Sequence, residues 1–455
     1  MSWPRDLHFV TSFNMRTNWI IVFSALAVTY SCKPKKIESD WNSGEANMAA
    51  YVAIGGSSTG GYMHDALTYE GQQNSLAAIL GSQFEMVGGS PMVHPSVASS
   101  SIGWSLTGAS VLELGFKTDC NGTTSLSPVR TGPTGDATVL NNIYSSTNRN
   151  FGIPFLSSLK LNDASYGDPM NGTHNPFFAR MASSSSSSIL TDLSATNMTF
   201  CSIQVGVDEV LEYARKGASA GSLAPVNGSA GSGFTGSIQE LMDLVESKGA
   251  KAVVATIPDV MTMPYFTTIP YDGLDLDAES AESLNQIYNP IGINFVVGKN
   301  AFMIEDPNAG VFGVRQMVPG ELLLLNVPLD SVKCYKMGSV FPLRDEFILT
   351  LDEQQEIRTA VEGYNESLVN MANSKGFAVV REDYFYKSFS AGMVYNGVSL
   401  NAQFVSGGAY SLDGLRLNPR GNALLANEYI RAINQKYNAR IPYADPIKYK
   451  GIVFP

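Results

Sequence analysis

The sequence predicts a doubly wound α/β domain, in which a parallel sheet is covered by helices on both faces. Apolar runs at residues 51–54, 199–205, 251–257 and 377–380 fit buried strands of a parallel sheet. Segments of helical length separate several of these runs. Successive parallel strands joined by helices imply right-handed crossovers, so we expect one layered core with large loop insertions.

The composition fits one large folded domain with insertions, or two smaller domains. The chain has 455 residues, of which 44% are hydrophobic and 16% are charged. Lys and Arg together number 30 against 41 Asp and Glu, which gives a formal net charge of −11. Phosphate binding needs clustered positive charge, and the sequence has no long basic run, so we expect no nucleic acid partner.

The N-terminus has the layout of a secretory signal that ends at a lipidation site. Arg16 precedes an apolar run at residues 20–28, which is too short to span a bilayer, and Cys32 follows that run. Met15 makes a more compact signal than Met1. An apolar N-terminus without processing is the alternative.

These features divide the chain into three parts. We predict a signal peptide at residues 1–31, a tether anchored through lipidated Cys32 at residues 32–49, and a domain at residues 50–455. The tether is predicted because that segment is polar and lacks apolar periodicity. Residues 271–319 look like an insertion into the domain.

Three cysteines remain after Cys32, and an odd number cannot all form pairs. These are Cys120, Cys201 and Cys334, and the sequence does not indicate which of them pair. Because Cys201 lies in a strand-like run, we expect it to be a buried free thiol.

The other elements follow from local patterns in chain order. A helix extends through residues 72–84, and residues 88–166 are predicted to form long loops with a tight turn at residues 150–154. The later predicted elements are a helix from residue 189 after a serine run, a helix from Ser237 to Gly249, a strand at residues 321–327, a helix at residues 350–375 opened by a capping box, and a final helix within residues 411–437.

Four short motifs lie at the loops of this predicted fold. They are Gly55-Gly-Ser-Ser-Thr59, Asn150-Phe-Gly152, Gly206-Val-Asp-Glu209, and a segment from Ser411 to Gly421 that reads Ser-Leu-Asp-Gly-Leu-Arg-Leu-Asn-Pro-Arg-Gly. In order and spacing they resemble the sequence blocks of the SGNH (GDSL) hydrolase family, most closely its lipid-anchored members of the Bacteroidota type. The resemblance covers about residues 50–455 and implies a three-layer α/β/α, flavodoxin-like fold.

The resemblance also implies a role for individual residues. In that family a serine nucleophile is activated by a histidine, which is oriented by an Asp three residues before it, while backbone amides and an Asn hold the oxyanion. Ser57 matches the nucleophile position, Gly152 and Asp208 the oxyanion-hole positions, Asp413 the triad Asp position, and Arg416 the triad His position.

Three departures from the family pattern predict loss of hydrolysis. Arg416 replaces the histidine, and a guanidinium stays protonated, so it cannot accept the serine proton. Losing the general base costs a factor of about 10²–10⁴ in rate. Asp208 replaces the Asn, and losing one oxyanion donor costs a further factor of about 10²–10³. Gly56 stands where the family has Asp.

Two features of this site depend on the three-dimensional structure: whether another histidine can act as the base, and where the Arg416 side chain lies. Of the histidines, His64 lies about 10 Å along a helix from Ser57, while His94 and His174 lie in loops. We hypothesise that Arg416 forms an ion-paired cluster with Asp413 and Asp208 over the serine, and the alternative is that it points into solvent.

The resemblance implies an outer-membrane lipoprotein on the periplasmic or cell-surface face, held through Cys32, with no cofactor and no metal. Its expected role is that of a binding or accessory subunit of an outer-membrane assembly. A β-barrel channel of the fatty-acid-transporter kind is the implied partner class. One alternative is a residual esterase that cleaves acyl or acetyl esters through Ser57, and another is a surface protein that binds carbohydrate or lipid.

Overall fold

Five parallel strands form the central sheet. In chain order they are β1 Tyr51–Gly55, β2 Asn150–Gly152, β3 Phe200–Gln204, β4 Lys251–Ala255 and β5 Ala378–Val380. They stand in the order β5-β4-β3-β1-β2, and every neighbouring pair is parallel. This is one of the two common doubly wound strand orders. The predicted α/β class with a parallel sheet is therefore confirmed.

The computed structural model describes residues 40–455. The signal peptide predicted at residues 1–31 and the lipidation predicted at Cys32 lie outside the described residues. The tether predicted up to residue 49 packs on the domain from residue 41 onwards: Ala46 and Met48 are buried, and the Glu45 N–H donates to the Tyr437 carbonyl at 2.8 Å. Two apolar side chains are enough to hold this polar stretch. Within residues 40–455, no helix is long and apolar enough to cross a membrane.

Seven helices of eight or more residues lie within residues 40–455. They are α1 Leu76–Glu85, α2 Val207–Ala214, α3 Phe234–Ser247, α4 Ala278–Tyr288, α5 Leu351–Ser374, α6 Glu382–Ala391 and α7 Pro419–Tyr437. The shorter helices are Ser57–Gly60, Tyr69–Gln73, Pro176–Ala179, Ile189–Ala195, Pro264–Thr267 and Leu329–Cys334. Turns of 3₁₀ helix lie at Ala137–Leu140, Ser158–Lys160, Val260–Thr262, Asn289–Ile291, Asp345–Phe347 and Pro446–Lys448.

Two pairs of long helices cover the sheet. Helices α1 and α7 pack together and against the strands, where Phe84 of α1 contacts Tyr51 of β1 with ring centroids 4.7 Å apart. Helices α3 and α5 form the other pair, in which Phe234 stacks on Tyr364 at 4.1 Å. These pairs give the helix–sheet–helix layering that the apolar strands require, because both faces of such strands must be buried.

The helix starts show where local signals suffice and where packing overrides them. Helix α5 begins with the predicted capping box, formed between Thr350 and Glu353. Helix α3 does not begin at Ser237, which was predicted as its cap. It begins at Phe234, because that fully buried side chain packs on α5 and extends the helix by a turn. The Ser237 hydroxyl instead donates to the Gly233 carbonyl at 2.8 Å.

Two strand predictions need correction. Residues 150–154 were predicted as a tight turn, but Asn150–Gly152 forms β2, the edge strand beside β1. Residues 321–327 were predicted as one strand, but only Leu322–Leu323 is extended, and it pairs with Ile348–Leu349 outside the main sheet. The other two-stranded pairs are Tyr62–Met63 with Ala66–Leu67, Leu112–Thr118 with Thr124–Arg130, Leu274–Leu276 with Gly298–Asn300, Met303–Glu305 with Val314–Gln316, and Met393–Tyr395 with Val398–Leu400.

The insertion is larger than the predicted residues 271–319. One of its apolar clusters includes Phe302, Leu323, Leu343 and Phe347, so the insertion continues to the residues just before α5. The apolar run after residue 321 packs into this separate cluster, which explains why it does not join the main sheet.

A disulfide connects the insertion to the long hairpin formed by Leu112–Thr118 and Thr124–Arg130. Cys120 lies at the turn of that hairpin and bonds to Cys334, with the Cα atoms 6.4 Å apart. An ion pair at 3.0 Å between Lys333 and Asp119 supports the same contact. Cys201 is a buried free thiol in β3, which confirms its prediction.

Candidate functional site

Ser57 and Asp208 meet at the carboxyl edge of the sheet. Ser57 is the first residue of the helical turn that follows β1, and Asp208 is the second residue of α2, just after β3. Because β1 and β3 are adjacent and parallel, the segments that follow them lie side by side. The Ser57 hydroxyl and the Ser57 N–H both donate to Asp208 Oδ2, each at 2.8 Å.

Phe155, rather than Gly152, supplies the second backbone donor. The Phe155 N–H donates to Asp208 Oδ2 at 2.7 Å, and the residue has a φ of 63°, which is rare for a bulky side chain. The Gly152 N–H donates to Asn150 Oδ1 at 2.9 Å instead, so its predicted oxyanion role is corrected. Gly152 provides space, since a Cβ there would lie 2.2 Å from the Gly60 nitrogen.

The Asp208 carboxylate accepts three hydrogen bonds at one oxygen. Three donors converge on its Oδ2, which is how an oxyanion hole holds developing negative charge. Burial raises the pKa of the Asp208 carboxyl, while the Arg416 charge and the hydrogen bonds from Ser57 and Phe155 oppose that rise. The donors are therefore already satisfied by a side chain of the protein itself.

Gly56 leaves the space that this carboxylate needs. A Cβ at position 56 would lie 2.6 Å from Asp208 Oδ2 and 2.7 Å from its Cγ, both much closer than van der Waals contact. Any side chain at 56 therefore collides with the carboxylate in its present place. The glycine at 56 and the Asp at 208 are thus physically coupled, although the sequence presents them as two separate departures.

Asp413 shapes the turn that carries Arg416. Its Oδ1 accepts hydrogen bonds from the Ser411 hydroxyl at 2.7 Å and from the N–H groups of Leu415 and Arg416 at 2.8 and 2.9 Å. Its Oδ2 accepts the Asp65 N–H at 3.3 Å. The Asp413 carboxylate therefore acts on backbone groups and fixes the start of the Arg416 side chain.

Arg416 is buried between two aromatic rings. Its side chain is 3% exposed, and the guanidinium carbon lies 5.2 Å from the Tyr62 ring centroid and 5.0 Å from that of Phe155. The alternative in which Arg416 points into solvent is therefore wrong. Burial lowers the pKa of this guanidinium, but the charges of Asp413, Asp208 and other acids outweigh that effect and leave the pKa raised.

The direct ion pair of Arg416 is made with Glu212. Arg416 Nη2 lies 3.7 Å from Glu212 Oε1, whereas the predicted partners Asp413 and Asp208 bind the donors described above. The hypothesised cluster is corrected accordingly: Arg416 interacts with both at longer range. Its Nε and Nη2 have no hydrogen-bond partner among the described residues.

Sequence reasoning missed Glu212, Tyr62 and Phe155. A signal for Glu212 was present, since it lies four residues after Asp208 on α2 and therefore on the same helical face. Glu212 also binds Arg215, with N–O distances of 2.6 and 2.7 Å. Tyr62 lies in the short strand that follows the Ser57 turn and Phe155 lies in the loop after β2, and no sequence pattern connects either to Arg416.

The histidines of residues 40–455 are all engaged elsewhere. His64 Nδ1 accepts the Leu412 N–H at 3.2 Å, His94 Nδ1 lies 3.0 Å from Asn150 Nδ2, and His174 Nδ1 lies 2.8 Å from the Asn171 carbonyl oxygen. Burial lowers the pKa of His94 to about 4. No imidazole in this part of the chain is hydrogen-bonded to the serine.

The site is closed to substrate in the structure. Ser57 is 1% exposed and Asp208 is 3% exposed. Cavities of about 430 and 420 Å³ lie elsewhere, and neither is lined by Ser57, Asp208 or Arg416. Among residues 40–455, no cluster of three His, Cys, Asp or Glu side chains is suited to a metal ion.

A buried glutamate next to this site makes stability depend on pH. Glu382 is 0% exposed, and it accepts hydrogen bonds from Gln204 at 2.7 Å and Tyr429 at 2.6 Å. Gln204 in turn accepts a hydrogen bond from Thr59, in the turn of the candidate nucleophile. Burial raises the pKa of Glu382 to about 7, against 4.5 for an exposed glutamate.

The folded chain therefore holds this proton more tightly than the unfolded chain. The resulting stability is present at low pH and is lost as pH rises through about 7. We expect Glu382 to lower the free energy of unfolding by about 2 kcal/mol between about pH 5.5 and pH 8. Urea denaturation at both pH values should show a loss about 2 kcal/mol smaller in Glu382→Gln than in wild type, because Glu209, whose pKa burial also raises to about 7, contributes equally to both proteins. The exposed Glu366→Gln is the matched control, and equal pH profiles for wild type and Glu382→Gln would contradict the assignment.

Comparison with known proteins identifies no relative. A scan against protein-family models, a search of curated proteins and a search of solved structures each find no match to this chain.

Proposed function

We propose that the chain is an SGNH-type α/β protein that has lost ester hydrolysis and acts by binding, as an accessory subunit of an outer-membrane assembly. The observation that carries this proposal is the state of Ser57. Its hydroxyl and its N–H both bind the Asp208 carboxylate, and the side chain is almost fully buried. A serine in this state has no histidine base among residues 40–455 and is not accessible to a substrate.

The positions of the motifs support the family assignment. The first three follow or end β1, β2 and β3, and the fourth precedes α7. A hydrogen bond joins Ser57 of the first motif to Asp208 of the third. Arg416 of the fourth motif pairs with Glu212 on the helix that begins in the third, so these motifs meet at one edge of the sheet. A doubly wound fold has its functional site at the carboxyl edge of the sheet, which is where these motifs lie.

The disulfide supports an exported protein. Disulfides persist in oxidising compartments and are rare in reducing ones. The Cys120–Cys334 bond therefore agrees with the predicted signal peptide and with a lipid anchor at Cys32. Together they favour an outer-membrane lipoprotein on the periplasmic or cell-surface face.

The insertion offers an exposed apolar surface for a partner. The described chain begins beside the end of α7, at the amino edge of the sheet, whereas the insertion follows β4 at the carboxyl edge. Val311 is 97% exposed and Phe312 is 68% exposed, in the loop between Met303–Glu305 and Val314–Gln316. Exposed apolar groups of this kind favour contact with a membrane protein, which in this proposal is a β-barrel channel.

An ester-hydrolysis assay tests the loss of catalysis. We expect purified wild type and Ser57→Ala to hydrolyse p-nitrophenyl acetate and butyrate at the same background rate. Turnover that disappears in Ser57→Ala would reinstate the residual esterase, with Asp208 as the base that the geometry offers. Turnover gained by Arg416→His with Asp208→Asn, and lost again on adding Ser57→Ala, would show a cleft disarmed by these two side chains.

Recovery of the partner from membranes tests the binding role. After mild detergent extraction, we expect wild type to co-purify with a β-barrel membrane protein, and Val311→Asp with Phe312→Asp to lose it. Met170→Asp is the matched control, because Met170 is 91% exposed and lies outside the insertion. Equal recovery by the insertion variant and wild type would exclude this loop as the interface.

A further inference from the structure

A cavity of about 430 Å³ beside the C-terminal segment is not used by the site described above. It lies between the short hairpin that begins at Tyr62, the base of the Leu112–Thr118 strand, and the C-terminal segment around Lys450. A volume in this range suits a small organic ligand. Its lining has a polar part and an apolar part, and each limits the chemical groups that a ligand can have.

His64 is held rigidly at the polar part of the cavity. The ring Nδ1 of His64 accepts the Leu412 N–H at 3.2 Å, and the backbone N–H of His64 donates to the Ser411 hydroxyl at 3.1 Å. His64 has a φ of 54°, an uncommon conformation for a residue other than glycine, and these two contacts hold it there. Because Nδ1 is an acceptor, the ring proton is on Nε2, which leaves one N–H donor for a ligand.

The charges of the lining disfavour an anion. Glu70 pairs with Lys450 at 3.1 Å, so these two charges cancel. Glu113 also lines the cavity and has no ion pair among the described residues. Burial lowers the pKa of His64, which keeps the imidazole neutral at neutral pH. One uncompensated carboxylate remains, and it repels carboxylate and phosphate groups.

The remaining lining combines hydroxyl groups with apolar side chains. The lining contains the hydroxyl groups of Thr68, Ser99, Ser101 and Thr131. Thr68 and Ser101 already accept backbone N–H groups and Thr131 donates to the Val111 carbonyl oxygen, so these three offer a ligand only their remaining hydrogen-bonding capacity. Val111, Leu112, Leu114, Leu412 and Ile452 provide the apolar surface. A ligand that matches both parts has a neutral head rich in hydroxyl groups and an alkyl tail.

We propose that this cavity binds a small neutral amphiphile with a hydroxyl-rich head, of which an alkyl glycoside is the simplest example. The His64 N–H and the carboxylate of Glu113 hydrogen-bond the head, and the tail lies on the leucine and valine side chains. This binding does not depend on Ser57 or on the proposed accessory role, because the cavity shares no lining residue with the candidate nucleophile site.

Calorimetric titration of the full folded domain with three ligands tests the proposal. The ligands share one tail and differ in the head: n-octyl β-glucoside, octanoate and octyltrimethylammonium, each used below its micelle concentration. We expect the glucoside to bind with a Kd of about 1 mM or tighter, and octanoate at least about tenfold more weakly because the Glu113 carboxylate repels it. Octyltrimethylammonium should also bind more weakly than the glucoside, since its head has no group that can hydrogen-bond with His64 or with the hydroxyl groups of the lining. His64→Asn should weaken glucoside binding at least about fivefold, since asparagine tolerates the left-handed backbone but lacks the ring.

Two further variants separate this cavity from other surfaces. Glu113→Gln, at an exposed position, removes the carboxylate charge, so it should strengthen octanoate binding and reduce the difference in Kd between octanoate and the glucoside. Tyr384→Ala, in the separate cavity of about 420 Å³, should leave the glucoside Kd unchanged. The proposal is overturned if no glucoside binding is detected, if either charged ligand binds as tightly, or if His64→Asn and Glu113→Gln both behave as wild type.

Discussion

Replacing Gly56 by alanine is expected to lower the free energy of unfolding by about 3 kcal/mol. The new Cβ would lie 2.6 Å from Asp208 Oδ2, so the carboxylate must leave the three donors that now hold it. Leaving buried N–H groups and a buried carboxylate without partners is costly, and overpacking adds to that cost. Urea denaturation of wild type and Gly56→Ala measures the difference.

A second background isolates the cause of that loss. In Asp208→Ala the carboxylate is absent, so adding Gly56→Ala should cost clearly less than it does in wild type. Gly172→Ala is the matched control, because a Cβ at Gly172 has no atom within 4 Å, and we expect a change within about 0.5 kcal/mol. An equal cost of Gly56→Ala in both backgrounds would mean that the collision with Asp208 is not its origin.

Replacing Arg416 by methionine is expected to destabilise the fold by about 3–5 kcal/mol. Methionine keeps much of the apolar stem, but it removes the cation that faces Glu212 at 3.7 Å and offsets the buried charge of Asp208. It also removes the contacts of the guanidinium with Tyr62 and Phe155. Equilibrium unfolding in urea, measured at neutral pH where both carboxyl groups matter, reports the effect.

The control for Arg416 is an exposed arginine in an ion pair. Arg431 pairs with Glu428 on α7 and its side chain is 56% exposed, so Arg431→Met should cost at most about 1 kcal/mol. Arg416→Lys keeps the charge and loses the planar stacking, and we expect its cost to lie between the two. If Arg416→Met costs no more than Arg431→Met, the buried cation has no structural role.

The strands that were predicted correctly lie within continuous apolar runs of the sequence. Residues 251–257 and 377–380 contain β4 and β5, because continuous apolar runs have little other use in a soluble fold. The edge strand β2 has only three residues, Asn150, Phe151 and Gly152, and lacks such a run. It is a strand because β1 pairs with it, and pairing partners are not encoded in a local pattern.

The candidate site was likewise predicted in part from the sequence. Motif order placed Ser57, Asp208 and Asp413 near one edge of the sheet, and the structure brings them there. The donor is the Phe155 N–H instead of the predicted Gly152 N–H. This depends on the positive backbone φ of Phe155, which its residue type does not predict. The aromatic surroundings of Arg416 depend on how two distant segments pack, which requires the three-dimensional structure.

The buried position of Cys201 bears on how the chain acquires its correct cross-link during synthesis. Of the three cysteines after Cys32, Cys120 is synthesised first, Cys201 second and Cys334 last, so among these three an early oxidation of Cys120 has only Cys201, the wrong partner, available. Early assembly of β3 against β1 would remove that partner from solvent before Cys334 arrives. Cys201→Ser should therefore raise the yield of protein with the Cys120–Cys334 disulfide when the chain is oxidised before β3 has paired with β1.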